Sequence, residues 1–541
     1  MEAHFATLWE SITDTIPDST ALICGDLERT WLDYDDRAAR IANLLTSHGL
    51  GDDSKVGIYL HNSNEYLEVQ YGVFKIKGVP INVNYRYKED ELVYLLDNAD
   101  AEAVFFQGCY TKQINSIKDK LSKVKVFIQV DDGTEDLIDF AQDYESSIVS
   151  NDPMDRIKRS EENIYMLYTG GTTGMPKGVM YEHGSFLNGL LRAGETWGLL
   201  PLGDEFKLDD LPKLILDLLA SNNLPVSIPA CPLMHGTGMW LGALIPLLTG
   251  GTVVTIPQLG FDPDYLLKET ERTKANYLVI VGDAFAKPIL DALDKAKDEG
   301  KPYNLETVKM MISSGVMWSA EVKEGLLAHH EMLLVDAMGS TEGGMGGSVA
   351  SRDNPAPTAK FTLNPGTIVI TDEGKHVEPG SGEIGKIGTP AAPLGYFKDP
   401  EKSAATFKEV EGVRYSFPGD YALVETDGTI TLLGRGSNCI NTAGEKVYPE
   451  EVEEAVKRHP DIYDCLVVGV DDDRFGQRVV ALASFQDQKT IEEQDLISFT
   501  REHLAGFKLP KQVFFVEEVM RAPNGKANYK WAKERAAEEL S

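Results

Sequence analysis

Positive charge is what this chain has least of. Against 85 Asp and Glu it carries 52 Lys and Arg, a formal net charge of -33 with a sequence pI of about 4.7. Such a surface repels polyanions. It argues against nucleic acid and an anionic membrane as partners, and any anionic ligand then needs a local basic site. Cysteine is also scarce. Cys24, Cys109, Cys231, Cys439 and Cys465 are odd in number, form no Cys-x-x-Cys pair and have no metal-ligand spacing to histidine. They read as reduced residues of a cytoplasmic protein. The opening Met1-Glu2-Ala3-His4 has no basic region leading into an apolar core, so no signal peptide is expected. No apolar run suits a transmembrane segment either. Residues 239–256 are uncharged, but Gly242, Pro246, Gly250 and Gly251 interrupt them and β-branched residues end them. That pattern predicts a buried helix, a turn and a buried strand. A Gly-x-Ser-x-Gly elbow is missing, which removes support for serine hydrolase chemistry.

What is present is a 541-residue chain, 42% apolar, long enough for more than one domain. Its first four hundred residues, roughly, alternate helical patterns with short β-rich runs. Residues 33–47 place Tyr34, Ala38, Ile41, Leu44 and Leu45 on one helical face, and 66–76 are helical again. Strands are expected at 55–60, 78–83, 103–106, 124–130 and 277–281. The fold class is therefore α/β, with layered, mostly parallel sheets between helices. From Gly366 the texture turns to glycine-rich β segments, a β-rich subdomain. After Gly434-Arg435 a compact α+β unit begins. Pro449 opens a helix with Glu450 and Glu451 in its first turn and Lys457, Arg458 and His459 in its last, complementing the helix dipole. Domains are expected at 1–434 and 435–541. Residues 201–228 read as an insertion beside a pocket or a partner surface.

The chemistry concentrates in a few strings. Tyr168-Thr169-Gly170-Gly171-Thr172-Thr173-Gly174-Met175-Pro176-Lys177-Gly178-Val179 holds four glycines, three threonines and one lysine. Backbone N–H groups, hydroxyls and an ammonium can converge there on phosphate oxygens. The order is not a P-loop, because Pro176 precedes Lys177 and Gly178 follows it. Met338-Gly339-Ser340-Thr341-Glu342-Gly343-Gly344 is a second glycine-rich loop, with a carboxylate suited to Mg2+ and a threonine suited to a phosphoryl oxygen. Asp420 and Arg435 can hold a ribose and a phosphate. Taken alone, these two read as a turn residue and a surface charge, and Pro523-Asn524-Gly525-Lys526 as a turn with an exposed lysine.

Taken in order, these strings resemble the adenylate-forming superfamily, which includes acyl-CoA synthetases, firefly luciferases and peptide-synthetase adenylation domains. The likeness runs from Tyr34 to about Trp531. It implies an enzyme that uses ATP, Mg2+ and coenzyme A. A carboxylic acid and ATP give an acyl-adenylate and pyrophosphate, and CoA then displaces AMP. It implies that Lys526 enters the site for adenylation and that Thr341 and Glu342 serve phosphate and metal. Asp336, Met338, Gly339 and Ser340 would border the adenine, Met338 standing where the family usually has tyrosine. His235 would orient the acid or gate its tunnel, a structural histidine being the competing reading. Gly444 and Lys446 would line the pantetheine tunnel in a second state, reached about a hinge at Ser437, where the family usually has Asp or Lys. The family usually has Ser at Gly170. That spelling, and Gly434-Arg435-Gly436-Ser437, look like the branch acting on fatty acids and steroid side chains, so a hydrophobic acid is favoured over acetate. Transfer to a carrier protein is the alternative, and homodimerisation stays open.

Overall fold

The computed structural model describes residues 1–541 except 171–174, 204, 443–444, 473–475, 488 and 541. The helix expected at 33–47 runs Trp31–Ser47. A capping box starts it, with Thr30 Oγ1 accepting from the Asp33 N–H and Asp33 accepting from the Thr30 N–H. Its buried face packs on helix Asn64–Lys75. Behind these lies an all-parallel sheet in the order Val79–Asn82, Lys55–Tyr59, Ala101–Gln107, Val126–Val130 and Gln142–Asp143.

A larger sheet changes character part-way. It runs parallel from Thr20–Cys24 through Thr252–Thr255, Val226–Pro229, Tyr277–Ile280 and Met310–Ser314 to Leu333–Ser340. It then continues antiparallel through Gly343–Ala350, Lys360–Leu363, Ile430–Arg435, Asp420–Val424 and Ile384–Pro390. The parallel half shares the main core. The antiparallel half has a small core of its own around Met345, Phe361, Ile387 and Ile430. A hairpin of Ile164–Thr169 and Lys177–Glu182 carries the first glycine-rich string and is joined at its edge by Gly395–Tyr396.

Past Arg435 a separate sheet pairs the long strands Ile462–Asp472 and Gly476–Phe485, flanked by Ile440–Thr442, Glu445–Val447 and Gln512–Phe515. Helix Pro449–Lys457 begins on its proline, with Glu450 and Glu451 in the first turn and Lys457 in the last. The uncharged run at 239–256 forms a widened, i→i+5 bonded helix Thr237–Leu244, one further turn Ile245–Leu247 and strand Thr252–Thr255. No helix among the described residues is long and apolar enough to cross a membrane. The segment 201–228 is tied to the body. Helix Leu211–Ala220 buries Leu211, Ile215 and Leu218 and packs on helix Phe5–Thr15, and Val226–Pro229 is an inner strand of the large sheet.

Candidate active site

Strand Leu333–Ser340 is where the large sheet reverses, parallel to one neighbour and antiparallel to the other. The register slips between Met338 and Gly339, and a bulge of this kind re-aims the residues beyond it. Those residues are Ser340, Thr341 and Glu342. Their backbone is held firmly: Tyr181 Oη donates to the Thr341 carbonyl, and Ser416 Oγ donates to the Glu342 carbonyl at 3.1 Å. Glu342 is 7% exposed, and its Oε1 accepts from Tyr396 Oη at 2.6 Å.

Asp420 and Arg435 face each other across paired strands, with Arg435 Nε 3.5 Å from Asp420 Oδ1. Burial pushes the Asp420 carboxyl up, against the pull of Arg435, while Asp420 is the main influence raising Arg435. Asp420 Oδ2 is buried and has no hydrogen-bond partner among the described residues. A buried acceptor left over in this way is costly unless a ligand hydroxyl supplies the missing donor.

Lys526 reaches the same place from a turn at residues 522–526, beyond strand Gln512–Phe515. A methyl at Gly315 would lie 3.7 Å from Lys526 Cε and 3.7 Å from Thr237 Oγ1, so the lysine stands beside the start of helix Thr237–Leu244. The surrounding protein draws the ammonium's pKa below the ordinary lysine value, and Arg435 lowers it further, against Asp420 and Glu342. Lys526 is nonetheless an exposed residue, and solvent limits the shift. His235 is next to this group. Burial, then Lys526, takes its pKa down to about 3, and its Nε2 has no partner among the described residues. It is a neutral imidazole at neutral pH, able to position a substrate but not to hold a charge.

Other expected residues are placed differently. Lys177 Nζ pairs with Asp399 Oδ2 at 2.5 Å and stands 5.9 Å from the Tyr396 ring, so a carboxylate already matches the cation expected to meet phosphate. Asp336 is buried in an ion pair with Lys323 Nζ at 3.0 Å, which occupies the carboxylate expected to read an adenine amino group. Met338 is 7% exposed and belongs to the small core with Met345 and Phe361, not to an open stacking face. Thr169 and Gly170 lie at the cleft end of strand Ile164–Thr169, where a methyl on Gly170 would meet only Tyr87 Oη at 3.7 Å. Lys446 is exposed on the outer hairpin, 3.8 Å from Asp372. Gly171, Thr172, Thr173, Gly174 and Gly444 lie outside the described residues.

Two polar residues with no motif of their own shape the site. Asn82 Nδ2 donates to the Tyr168 carbonyl at 2.8 Å and to the Met234 carbonyl at 2.7 Å, and its Oδ1 accepts from the Tyr168 N–H at 2.7 Å. One buried amide thus clamps the glycine-rich hairpin to the segment that carries His235. Tyr396 plays the same part for Glu342. Tyr396→Phe should remove one charge-assisted hydrogen bond and slow acid-dependent pyrophosphate exchange about tenfold. The loss should shrink as Mg2+ is raised, and exchange assayed across a Mg2+ series reads it directly.

A single carboxylate suits Mg2+, which takes few protein ligands and completes its shell with phosphate oxygens and water. No group of three or more His, Cys, Asp or Glu among the described residues is arranged to hold a metal by itself. Glu342 is the residue that would hold the ion, which would neutralise phosphate charge.

Comparison with known proteins places this arrangement. The AMP-binding enzyme family matches residues 9–397, and the AMP-binding enzyme C-terminal domain matches residues 451–526. A 3-oxocholest-4-en-26-oate–CoA ligase of Rhodococcus rhodochrous is 40% identical over 99% of this chain and 96% of its own. A medium/long-chain-fatty-acid–CoA/3-oxocholest-4-en-26-oate–CoA ligase of Mycolicibacterium smegmatis is 38% identical over 100% of this chain and 98% of its own. Among solved structures, the anthranilate CoA ligase AuaEII in complex with anthranoyl-AMP superposes with a TM-score of 0.83 at 21% identity, covering 99% of this chain and 100% of its own.

Proposed function

Since the chain belongs to the AMP-binding enzyme family, we propose that its site makes CoA thioesters of hydrophobic carboxylic acids in two steps. In the first, an acid oxygen attacks the α-phosphorus of ATP and pyrophosphate leaves. In the second, the CoA sulfur attacks the acyl carbon, its proton is lost to solvent and AMP leaves. Adenylation converts a poor leaving group into a good one. Full-length relatives at 38% and 40% identity carry CoA-ligase names.

The observation that carries the mechanism is the meeting of Lys526, Glu342 and the paired Asp420 and Arg435, from three separate stretches of chain, at one site. Lys526 supports the charge that builds between carboxylate and α-phosphate during adenylation. The unpartnered Asp420 Oδ2 accepts from the ribose hydroxyls, and Arg435 bridges ribose and phosphate. Glu342 would hold Mg2+, which would neutralise phosphate charge, and Thr341 bonds a phosphoryl oxygen. His235, neutral beside Lys526, positions the acid. Lys177 gives up Asp399 for phosphate when nucleotide arrives. In the thiol step Gly444 and Lys446 take over from Lys526. The substrate class follows the relatives' names: medium or long fatty acids and a steroid acid such as 3-oxocholest-4-en-26-oate.

The test is AMP release with and without CoA across acids from acetate to 3-oxocholest-4-en-26-oate. CoA-dependent AMP release with the hydrophobic acids, and little with acetate, is expected. If no acid gives CoA-dependent AMP, the ligase reading fails. Pyrophosphate exchange without thioester formation would favour transfer to a carrier protein.

A further inference from the structure

Helix Gly282–Asp298 touches the residues beyond Arg435 at two positions one turn apart. Near its start, Ala284 meets the Lys526 turn: a methyl on Gly525 would lie 2.9 Å from Ala284 Cβ and 3.2 Å from the Val281 carbonyl. Gly525 also has φ +70, a conformation that disfavours any other residue. Three residues along the same helical face, Lys287 Nζ donates to the Tyr463 carbonyl at 2.5 Å, with the ammonium 5.3 Å from the Tyr463 ring.

Tyr463 is next in sequence to Asp464, and Asp464 governs the turn. Arg521 Nε and Nη2 donate to its two oxygens at 2.6 and 2.7 Å, and Arg521 Nη1 donates to the Gly525 carbonyl at 3.1 Å. The turn is closed by the Ala522 N–H donating to the Lys526 carbonyl at 2.9 Å. A continuous path of short polar contacts therefore runs from Lys287 through Tyr463, Asp464, Arg521 and Gly525 to Lys526. Burial lowers the Lys287 pKa, with Asp283, Asp464 and Glu454 opposing that and Lys457 adding to it. A half-buried cation whose bond is to a main-chain carbonyl reads as a pin between two surfaces.

We propose that Lys287 is a positioning residue for the first half-reaction: it pins strand Ile462–Asp472 to helix Gly282–Asp298 in the arrangement that seats Lys526 beside Gly315. It touches no reacting atom. The inference rests on the two-step reading above, in which Lys526 serves adenylation and not thiol attack. Its signature is a split between the half-reactions that a general loss of structure cannot produce.

The experiment compares wild type, Lys287→Met and Lys287→Arg in two assays on the full chain. Acid-dependent ATP–pyrophosphate exchange reads the first step, and thioester formation from a synthetic acyl-adenylate plus CoA reads the second. Lys287→Met should lower the exchange kcat about tenfold or more, as small misplacements of a catalytic group do. Its KM values should hold, and its thioester rate should stay within about twofold of wild type, a change too small to mark a lost contact. Lys287→Arg, which keeps a cationic donor, should restore most of the exchange. Equal loss in both assays, no loss in either, or no rescue by arginine overturns the assignment of Lys287 while the ligase reading stands. Absence of exchange in the wild type with every acid overturns the ligase reading and this inference together.

Discussion

Lys526→Ala should abolish acid-dependent pyrophosphate exchange, lowering its kcat on the order of 10²–10³-fold, while nucleotide binding survives. The magnitude is that of removing a preorganised cation aimed at charge that exists only in the transition state. Nucleotide affinity persists because Asp420 and Arg435, on their own pair of strands, do not depend on the lysine. Equilibrium binding of a nucleotide analogue, measured beside exchange, separates the two effects. The same residue sets a pH limit. In the proposed mechanism the ammonium form is the active one, so activity should be present below the lysine's pKa and lost as pH rises through it. The surroundings hold that pKa below the ordinary lysine value, so the alkaline limb of kcat/KM for exchange should fall at a lower pH than an ordinary lysine would give. Thioester formation from preformed acyl-adenylate should lack that limb. An unchanged exchange rate in the alanine variant would remove Lys526 from the chemistry.

Glu342→Gln should be nearly as damaging, with exchange reduced about 10²-fold and the Mg2+ requirement shifted to higher concentration. The substitution keeps size and the Tyr396 contact but removes the charge. The backbone of residues 341 and 342 is held by Tyr181 and Ser416 independently of the side chain, so the effect should be electrostatic and not a collapse of the turn. A Mg2+ titration of exchange, with thermal unfolding as a control, distinguishes these. Loss of activity that saturating Mg2+ leaves unchanged, with a lowered unfolding temperature, would make Glu342 a structural residue.

The sequence carries the site's chemistry more clearly than its wiring. Glu342, Asp420, Arg435 and Lys526 stand in short strings of turn-forming residues, and such strings are visible because charge and glycine occur together where no core can form. The alternation of helix and strand was equally readable, since buried faces impose a period. The contacts that orient these residues have no such mark. Asn82 is one amide at the end of strand Val79–Asn82, and its three hydrogen bonds go to segments far away in the chain. Tyr396 looks like any strand aromatic. The pairings of Lys177 with Asp399 and of Asp336 with Lys323 are likewise long-range facts of packing. Met338 illustrates the converse. Its motif position implied a place bordering the adenine, but a thioether on a strand over an apolar cluster lowers its free energy by joining that cluster.

The charges of the site also balance. Lys526 and Arg435 stand against Glu342 and Asp420, and Lys177 stands against Asp399. A neutral constellation attracts an anion only at close range, while the chain around it carries a net charge of -33. The approach of a nucleotide is then uphill over a Debye length before it becomes favourable at contact. Added salt, which slows encounter at cationic nucleotide sites, should speed it here, and stopped-flow association of a fluorescent ATP analogue at rising ionic strength would show the slope with its sign reversed.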